Sequence, residues 1–137
     1  MTLPVSAEPA LVVIVDDEPP VLRALERSLR GQSFAVRTTT SPREALEWVR
    51  TEKVGLVIAD YRMPEMKGTD LLEEVERTRP QTARILLTGY SGESMVVRGL
   101  GRGLCWLVGK PWDDGKLIDI IQRFLQAGGL GEAPVNK

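Results

Sequence analysis

The sequence predicts one α/β domain, a doubly wound five-stranded parallel sheet in the order 2-1-3-4-5 with helices on both faces. Four short aliphatic runs, at residues 10–15, 56–59, 84–87 and 104–108, and one alternating run at 34–38 are the first observation behind it. The second is that segments with apolar residues at helical spacing separate them. Strands that are apolar throughout belong to sheets covered on both faces, and strands alternating with helices build βαβ units with right-handed crossovers. The third observation is where the polar residues fall. Acids, a threonine and a lysine follow these runs, and a sheet of this order places its ligand crevice outside the carboxyl ends of strands 1 and 3.

Taken in order, residues 1–9 carry two prolines and little periodicity and read as a lead-in. ALVVIV at 10–15 is the first strand, ended by Asp16-Asp17-Glu18. Pro19-Pro20 suits a helix start, and Val21, Leu22, Leu25 and Leu29 repeat at helical spacing up to Gly31. The second strand, 34–38, is followed by Ser41-Pro42-Arg43-Glu44, a capping-box signature with proline at the first helical position. Ala45, Leu46 and Val49 then line a helix. The third strand, 56–59, delivers Asp60, and Pro64 and Gly68 hold the next loop away from helix. Leu71, Leu72 and Val75 mark a helix that runs to Arg79-Pro80.

The fourth strand, 84–87, stops at Thr88-Gly89. A short helix is expected over 92–100, weakened by glycines that each cost about 1 kcal/mol against alanine. The fifth strand, 104–108, ends at Lys110-Pro111, and Asp113 or Asp114 can cap a last helix carrying Leu117, Ile118, Ile121, Phe124 and Leu125. The expected organisation is a lead-in at 1–9, one domain at 10–126 and a flexible tail at 127–137. No output domain fits after Leu125, so effector function is expected in another chain or elsewhere in a longer protein.

Composition removes several classes of function. The 137 residues suit a single domain, and 18 Lys and Arg against 19 Asp and Glu give no electrostatic case for nucleic acid or an anionic membrane. With one cysteine and no histidine, an internal disulfide, Cys/His zinc sites and Ser-His or Cys-His nucleophile pairs are excluded. The apolar run before Asp16 is too short for a signal core, so the expectation is a cytoplasmic protein without a membrane span.

Asp16 and Asp17 after strand 1, Asp60 after strand 3, Thr88 after strand 4 and Lys110 after strand 5 converge on the predicted crevice. Strand 2 contributes only threonines. Three carboxylates brought together raise one another's pKa or demand a cation, and Mg2+, which takes one or two carboxylates and keeps several waters, answers that demand. With such an ion and a lysine neutralising phosphoryl oxygens, one carboxylate can attack phosphorus. Asp60 is the expected nucleophile, with Lys110 as point charge and Thr88 as hydroxyl donor. Alone, each residue has a plainer reading: Asp60 as turn former, Asp16 and Asp17 as helix-terminus acids, Thr88 as turn hydroxyl, Lys110 as surface charge. Their co-occurrence at neighbouring strand ends outweighs these.

Asp16-Asp17-Glu18, Asp60-Tyr61-Arg62-Met63-Pro64, Thr88-Gly89-Tyr90 and Lys110-Pro111-Trp112 together resemble the CheY-like receiver domain of two-component response regulators. The resemblance spans about residues 10 to 126, with its four motifs in order. It implies that Asp60 is the phosphoacceptor, supplied by a histidine on a sensor histidine kinase or phosphotransfer protein. It also implies a Mg2+ site of Asp17 directly, Asp16 mainly through water, Asp60, and the backbone carbonyl of Arg62. Thr88 and Lys110 would hold the phosphoryl oxygens, and Lys110-Pro111 is a candidate cis bond. The readout implied is homodimerisation or effector capture through the fourth helix, fifth strand and fifth helix, without direct nucleic-acid binding.

One departure stands out. The family places an aromatic side chain three residues before the lysine, where this chain has Leu107, and the neighbouring Trp106 points to the opposite face of the strand. That puts the usual threonine-to-aromatic switch in question. Three other functions fit the residues less well. A receiver that signals unphosphorylated leaves the acid pair and lysine without a role. A phosphatase of the haloacid-dehalogenase type needs an acid where Arg62 stands. A flavodoxin-like cofactor binder would set Asp16-Asp17-Glu18 against a phosphate.

Overall fold

Val12, Val13, Ile14 and Val15 are all completely buried, which a strand achieves only when both of its faces are covered. In the computed structural model, which describes residues 9–89 and 105–128, both faces are. The elements are β1 (Leu11–Val15), α1 (Pro19–Ser28), β2 (Ala35–Thr39), α2 (Pro42–Thr51), β3 (Val54–Asp60), α3 (Gly68–Thr78), β4 (Ala83–Thr88), β5 (Cys105–Gly109) and α4 (Asp114–Gly128). All strand pairs are parallel, in the order β2-β1-β3-β4-β5, the predicted doubly wound sheet. The helix expected over 92–100, most of the lead-in and most of the tail lie outside the described residues.

Strand alternation sorts the core into two halves. Val12, Ile14, Ile58 and Ile85 face α1 and α4, where Leu25, Ile121 and Phe124 meet them. Val13, Val15, Val57 and Leu86 face α2 and α3, where Ala45, Val49 and Leu71 close the other side. A one-residue slip of either central strand would exchange the two sets, so the register is strongly specified. Trp106 and Leu107 divide in the same way. Trp106 packs on the α1 and α4 side, edge-on to Phe124 with ring centroids 5.9 Å apart, and Leu107 packs on the opposite side.

Local chemistry sets the element ends. Pro19 and Pro20 occupy the first turn of α1, where no helical N–H is lost. At α2, Ser41 Oγ accepts from Glu44 N at 3.1 Å, but the Glu44 carboxylate does not return to Ser41 N. It accepts instead from the Thr39 hydroxyl, which in turn accepts from Ser41 N at 3.0 Å, so Thr39 closes the capping box. Ser41→Ala is expected to lower stability by about 1 kcal/mol. A thermal midpoint equal to that of the unmodified protein would show that this cap contributes nothing.

Asp113, rather than Asp114, caps α4: its Oδ1 accepts from Lys116 N and its carbonyl from Leu117 N, both at 2.9 Å. Two glycines depart from the sequence reading. β3 starts at Val54 and includes Gly55, ahead of the run 56–59, and a Cβ at Gly55 would lie 2.8 Å from the end of the Leu125 side chain. Gly68, expected in the loop, is the first residue of α3.

Candidate functional site

β1, β3, β4 and β5 are adjacent and parallel, so their carboxyl ends open on one side of the sheet. Asp16 follows β1 directly and is only 1% exposed. Its N–H donates to Thr39 O at 3.3 Å, and its Oδ1 accepts from Glu18 N at 2.9 Å, a local turn that fixes the carboxyl group. Asp60 is the last residue of β3, in register with Leu87, and is also buried. Its Oδ2 accepts from Arg62 N at 3.1 Å, and its Oδ1 contacts the Lys110 ammonium.

Lys110 follows β5 and is tied to the sheet by its own N–H, which donates to Thr88 O at 2.8 Å. Its Nζ also lies 3.7 Å from Asp16 Oδ2. Lys110-Pro111 is cis, the geometry the resemblance implied. Asp17 is half-buried and completes an acidic group with Asp16 and Asp60, one oxygen of each lying within 4.8 Å of the others. Thr88 is buried at the end of β4, paired with Gly109 across the sheet. The Arg62 side chain turns outward, its guanidinium carbon 5.9 Å from the centre of the Tyr61 ring.

The structure therefore brings together Asp16, Asp17, Asp60 and Lys110, with Thr88 on the adjoining strand end. Gly68 is a positioning residue that sequence reading missed. Its N–H donates to Tyr61 O at 2.9 Å, and a Cβ there would sit 2.3 Å from Asp60 O and 2.9 Å from Leu86 Cδ1. Only glycine lets α3 start against the back of the Asp60 main chain. Its place after Pro64 was the available signal, but that position fits a loop equally well.

Burial pushes the Asp16 carboxyl up to about 6, against its Glu18 hydrogen bond, and the Asp60 charge adds to the rise. Among the described residues Asp16 Oδ2 has no hydrogen-bond partner. A buried carboxylate oxygen left in that state is costly. For Lys110, burial works against the charged form, but the Asp60 hydrogen bond and the Asp60, Asp16 and Glu18 charges more than offset it, so its pKa is raised. Three carboxylates and one ammonium leave an acidic pocket. The donor set fits a hard divalent cation: all donors are oxygens, they lie close together, and one is buried without a hydrogen bond.

Residues 12–122 match the response regulator receiver domain. The chain belongs to that family. Among proteins similar to this receiver domain, the hydrogenase transcriptional regulatory protein HoxA of Cupriavidus necator is 33% identical over 126 residues, covering 91% of this chain and 26% of HoxA. The signal receiver domain of an HD domain-containing protein from Pseudomonas fluorescens Pf-5 has a TM-score of 0.83 at 26% identity, covering 94% of this chain and 95% of that one. A response regulator receiver domain protein (CheY-like) from Methanospirillum hungatei JF-1 has a TM-score of 0.79 at 26% identity, with 90% and 98% covered.

The receiver domain spans about a quarter of the length of the first curated relatives it matches. Receiver domains of response regulators are in general signalling modules rather than enzymes, and they generally bind Mg2+ at an acidic pocket. In this chain Asp16, Asp17 and Asp60 form an acidic cluster. No helix among the described residues is long and apolar enough to cross a membrane.

Proposed function

We propose that this receiver domain accepts a phosphoryl group on Asp60 from a phosphohistidine of a sensor histidine kinase or phosphotransfer protein, and that the added charge switches its association with a partner or a second copy. The observation that carries the reading is the setting of Asp60: a buried carboxylate with one oxygen on the Lys110 ammonium and the other on Arg62 N, beside Asp16 Oδ2. Asp16, Asp17, Asp60 and the Arg62 carbonyl would hold Mg2+. When bound, the ion supplies charge neutralisation for phosphoryl oxygens.

The chain's own residues do the rest. An Asp60 carboxylate oxygen attacks phosphorus as the bond to the donor imidazole nitrogen breaks, and the bonding pair returns to that ring. Lys110, whose pKa is raised, stays cationic at neutral pH and supplies a fixed positive charge for the transferring oxygens. The Thr88 hydroxyl donates to another of them. Water attack on the aspartyl phosphate reverses the charge, so the only reactions catalysed are the domain's own phosphorylation and dephosphorylation. We place the changed surface on β5 and α4 together with the helix predicted over 92–100, for homodimerisation or capture of a protein effector.

Incubation with Mg2+ and acetyl phosphate, followed by intact mass measurement, tests the reading. One added phosphoryl group is expected, absent from Asp60→Asn and absent when EDTA removes the metal. No adduct on the unmodified protein, or the same adduct on Asp60→Asn, would overturn it.

A further inference from the structure

Leu107 leaves this receiver domain without an aromatic side chain three residues before Lys110, yet an indole stands two residues after it. Trp112 is half-buried, and its ring packs into the core on the α1 and α4 side. Its Nε1–H has two acceptors: Ser28 Oγ, on the last residue of α1, at 3.2 Å, and Asp114 Oδ1, on the first residue of α4, at 3.1 Å. One hydrogen shared between two acceptors cannot point straight at both, and hydrogen bonds weaken steeply as the angle closes. A small rotation or shift of the ring therefore strengthens one contact as it weakens the other.

The same tryptophan is mechanically close to Asp60. The Lys110 ammonium contacts Asp60 Oδ1, and its main-chain N–H is bonded to Thr88 O. Between Lys110 and Trp112 stands only Pro111, whose ring fixes φ and removes a soft torsion that could absorb motion. Phosphorylation of Asp60 would carry negative charge outward onto phosphoryl oxygens, and the ammonium and the Thr88 hydroxyl would follow that charge. Both groups adjoin the hydrogen-bonded Thr88–Lys110 main chain, and that segment leads into Trp112.

We propose that Trp112 couples the chemical state of Asp60 to the junction of α1 and α4 by redistributing its indole N–H between Ser28 and Asp114. The proposal rests on the phosphoacceptor reading of Asp60. Trp112 is a positioning residue here, since it touches none of the reacting atoms. The output it implies lies on the face formed by α1 and α4, on the side of the sheet opposite to Leu107.

The three tryptophans give three indole N–H signals in a two-dimensional 15N–1H spectrum, and Trp112→Phe identifies the one at issue. The protein would be titrated with beryllium fluoride, a phosphoryl mimic, and Mg2+, with bound fluoride followed by 19F resonance. The Trp112 signal should shift on binding. Ser28→Ala and Asp114→Ala should place it at two limits, with the free and bound positions of the unmodified protein on the line between them, as expected for a shift between two populations. In Ser28→Ala, fluoride should still bind, but the Trp112 signal should no longer respond.

Bound fluoride with a stationary Trp112 signal would overturn the coupling while leaving the phosphoacceptor reading intact. So would an equal response in Ser28→Ala. Failure of both fluoride binding and phosphoryl adduct formation would overturn the phosphoacceptor reading and the coupling with it.

Discussion

Asp16→Asn should make the metal-free receiver domain more stable at pH 7, by about 2 kcal/mol, and should abolish its stabilisation by Mg2+. Burial and the neighbouring Asp60 push the Asp16 carboxyl from its ordinary 3.8 up to about 6. The folded protein therefore holds the Asp16 proton more tightly than the unfolded chain does. Wherever the folded state binds more protons, stability falls as pH rises, so the Asp16 contribution declines between about pH 4 and pH 6, and the full penalty stands at pH 7. Asparagine carries no charge to desolvate, and its Oδ1 can still accept from Glu18 N. Its amide nitrogen would lie near Lys110, which keeps the gain below the full penalty of about 3 kcal/mol.

Mg2+ at ten times its Kd adds about 1.4 kcal/mol to a protein that binds it only when folded. The unmodified domain should show that increment, and the asparagine variant should not. Thermal unfolding at pH 4.5 and pH 7, with and without Mg2+, measures all of this. A metal-free variant less stable than the unmodified domain at pH 7, or one that still gains stability from Mg2+, would refute the assignment of Asp16 as a strained, cation-seeking carboxylate.

Gly68→Ala should have the opposite effect on stability and a larger one on chemistry. The new methyl group would sit 2.3 Å from Asp60 O and 2.9 Å from the Asp60 carbonyl carbon. Its main obstacle is main chain, which cannot rotate away, so either α3 or the end of β3 must shift. Overpacking of this kind costs about 1 to 3 kcal/mol, and alanine's better helix propensity recovers less than about 1. The thermal midpoint should fall by up to about 10 °C.

Because the shift is imposed on the residue proposed as the nucleophile, adduct formation should slow by more than about tenfold even at temperatures where the variant is folded. Circular dichroism melts and timed mass spectra with acetyl phosphate separate the two effects. A variant as stable as the parent, and modified as fast, would mean that the close approach imposes no constraint.

Much of the architecture was legible in the sequence because parallel strands covered on both sides must be apolar throughout, and short β-branched runs such as VVIV and LVIA suit few structures besides a buried strand. The convergence of Asp16, Asp17, Asp60 and Lys110 was legible for a related reason: strand order turns position in the chain into position in space. Contacts made across the fold were not. The Trp112 tether reaches Ser28, 84 residues earlier, and no local pattern encodes it.

Glycine misled the reading for a physical reason. Gly68 looks like a chain breaker, while its role here is to leave room for the Asp60 main chain. The choice between Asp113 and Asp114 as cap, and the diversion of the Glu44 carboxylate to Thr39, depended on side-chain rotation within a single turn. Sequence pattern carries little information about that.

The place of β5 in the sheet has a consequence for how the domain fails. Asp16 and Asp60 stand on the interior strands β1 and β3, whereas Lys110 follows β5, the outermost strand on its side among the described residues. An outer strand has a main-chain ladder on one edge only and is the kind of element that opens first in local unfolding. Fraying of β5 would withdraw the fixed cation while the acids stay in place. The pocket would then become more anionic, so on the phosphoacceptor reading a partly opened domain would repel phosphodonors and lose phosphorylation before it has unfolded.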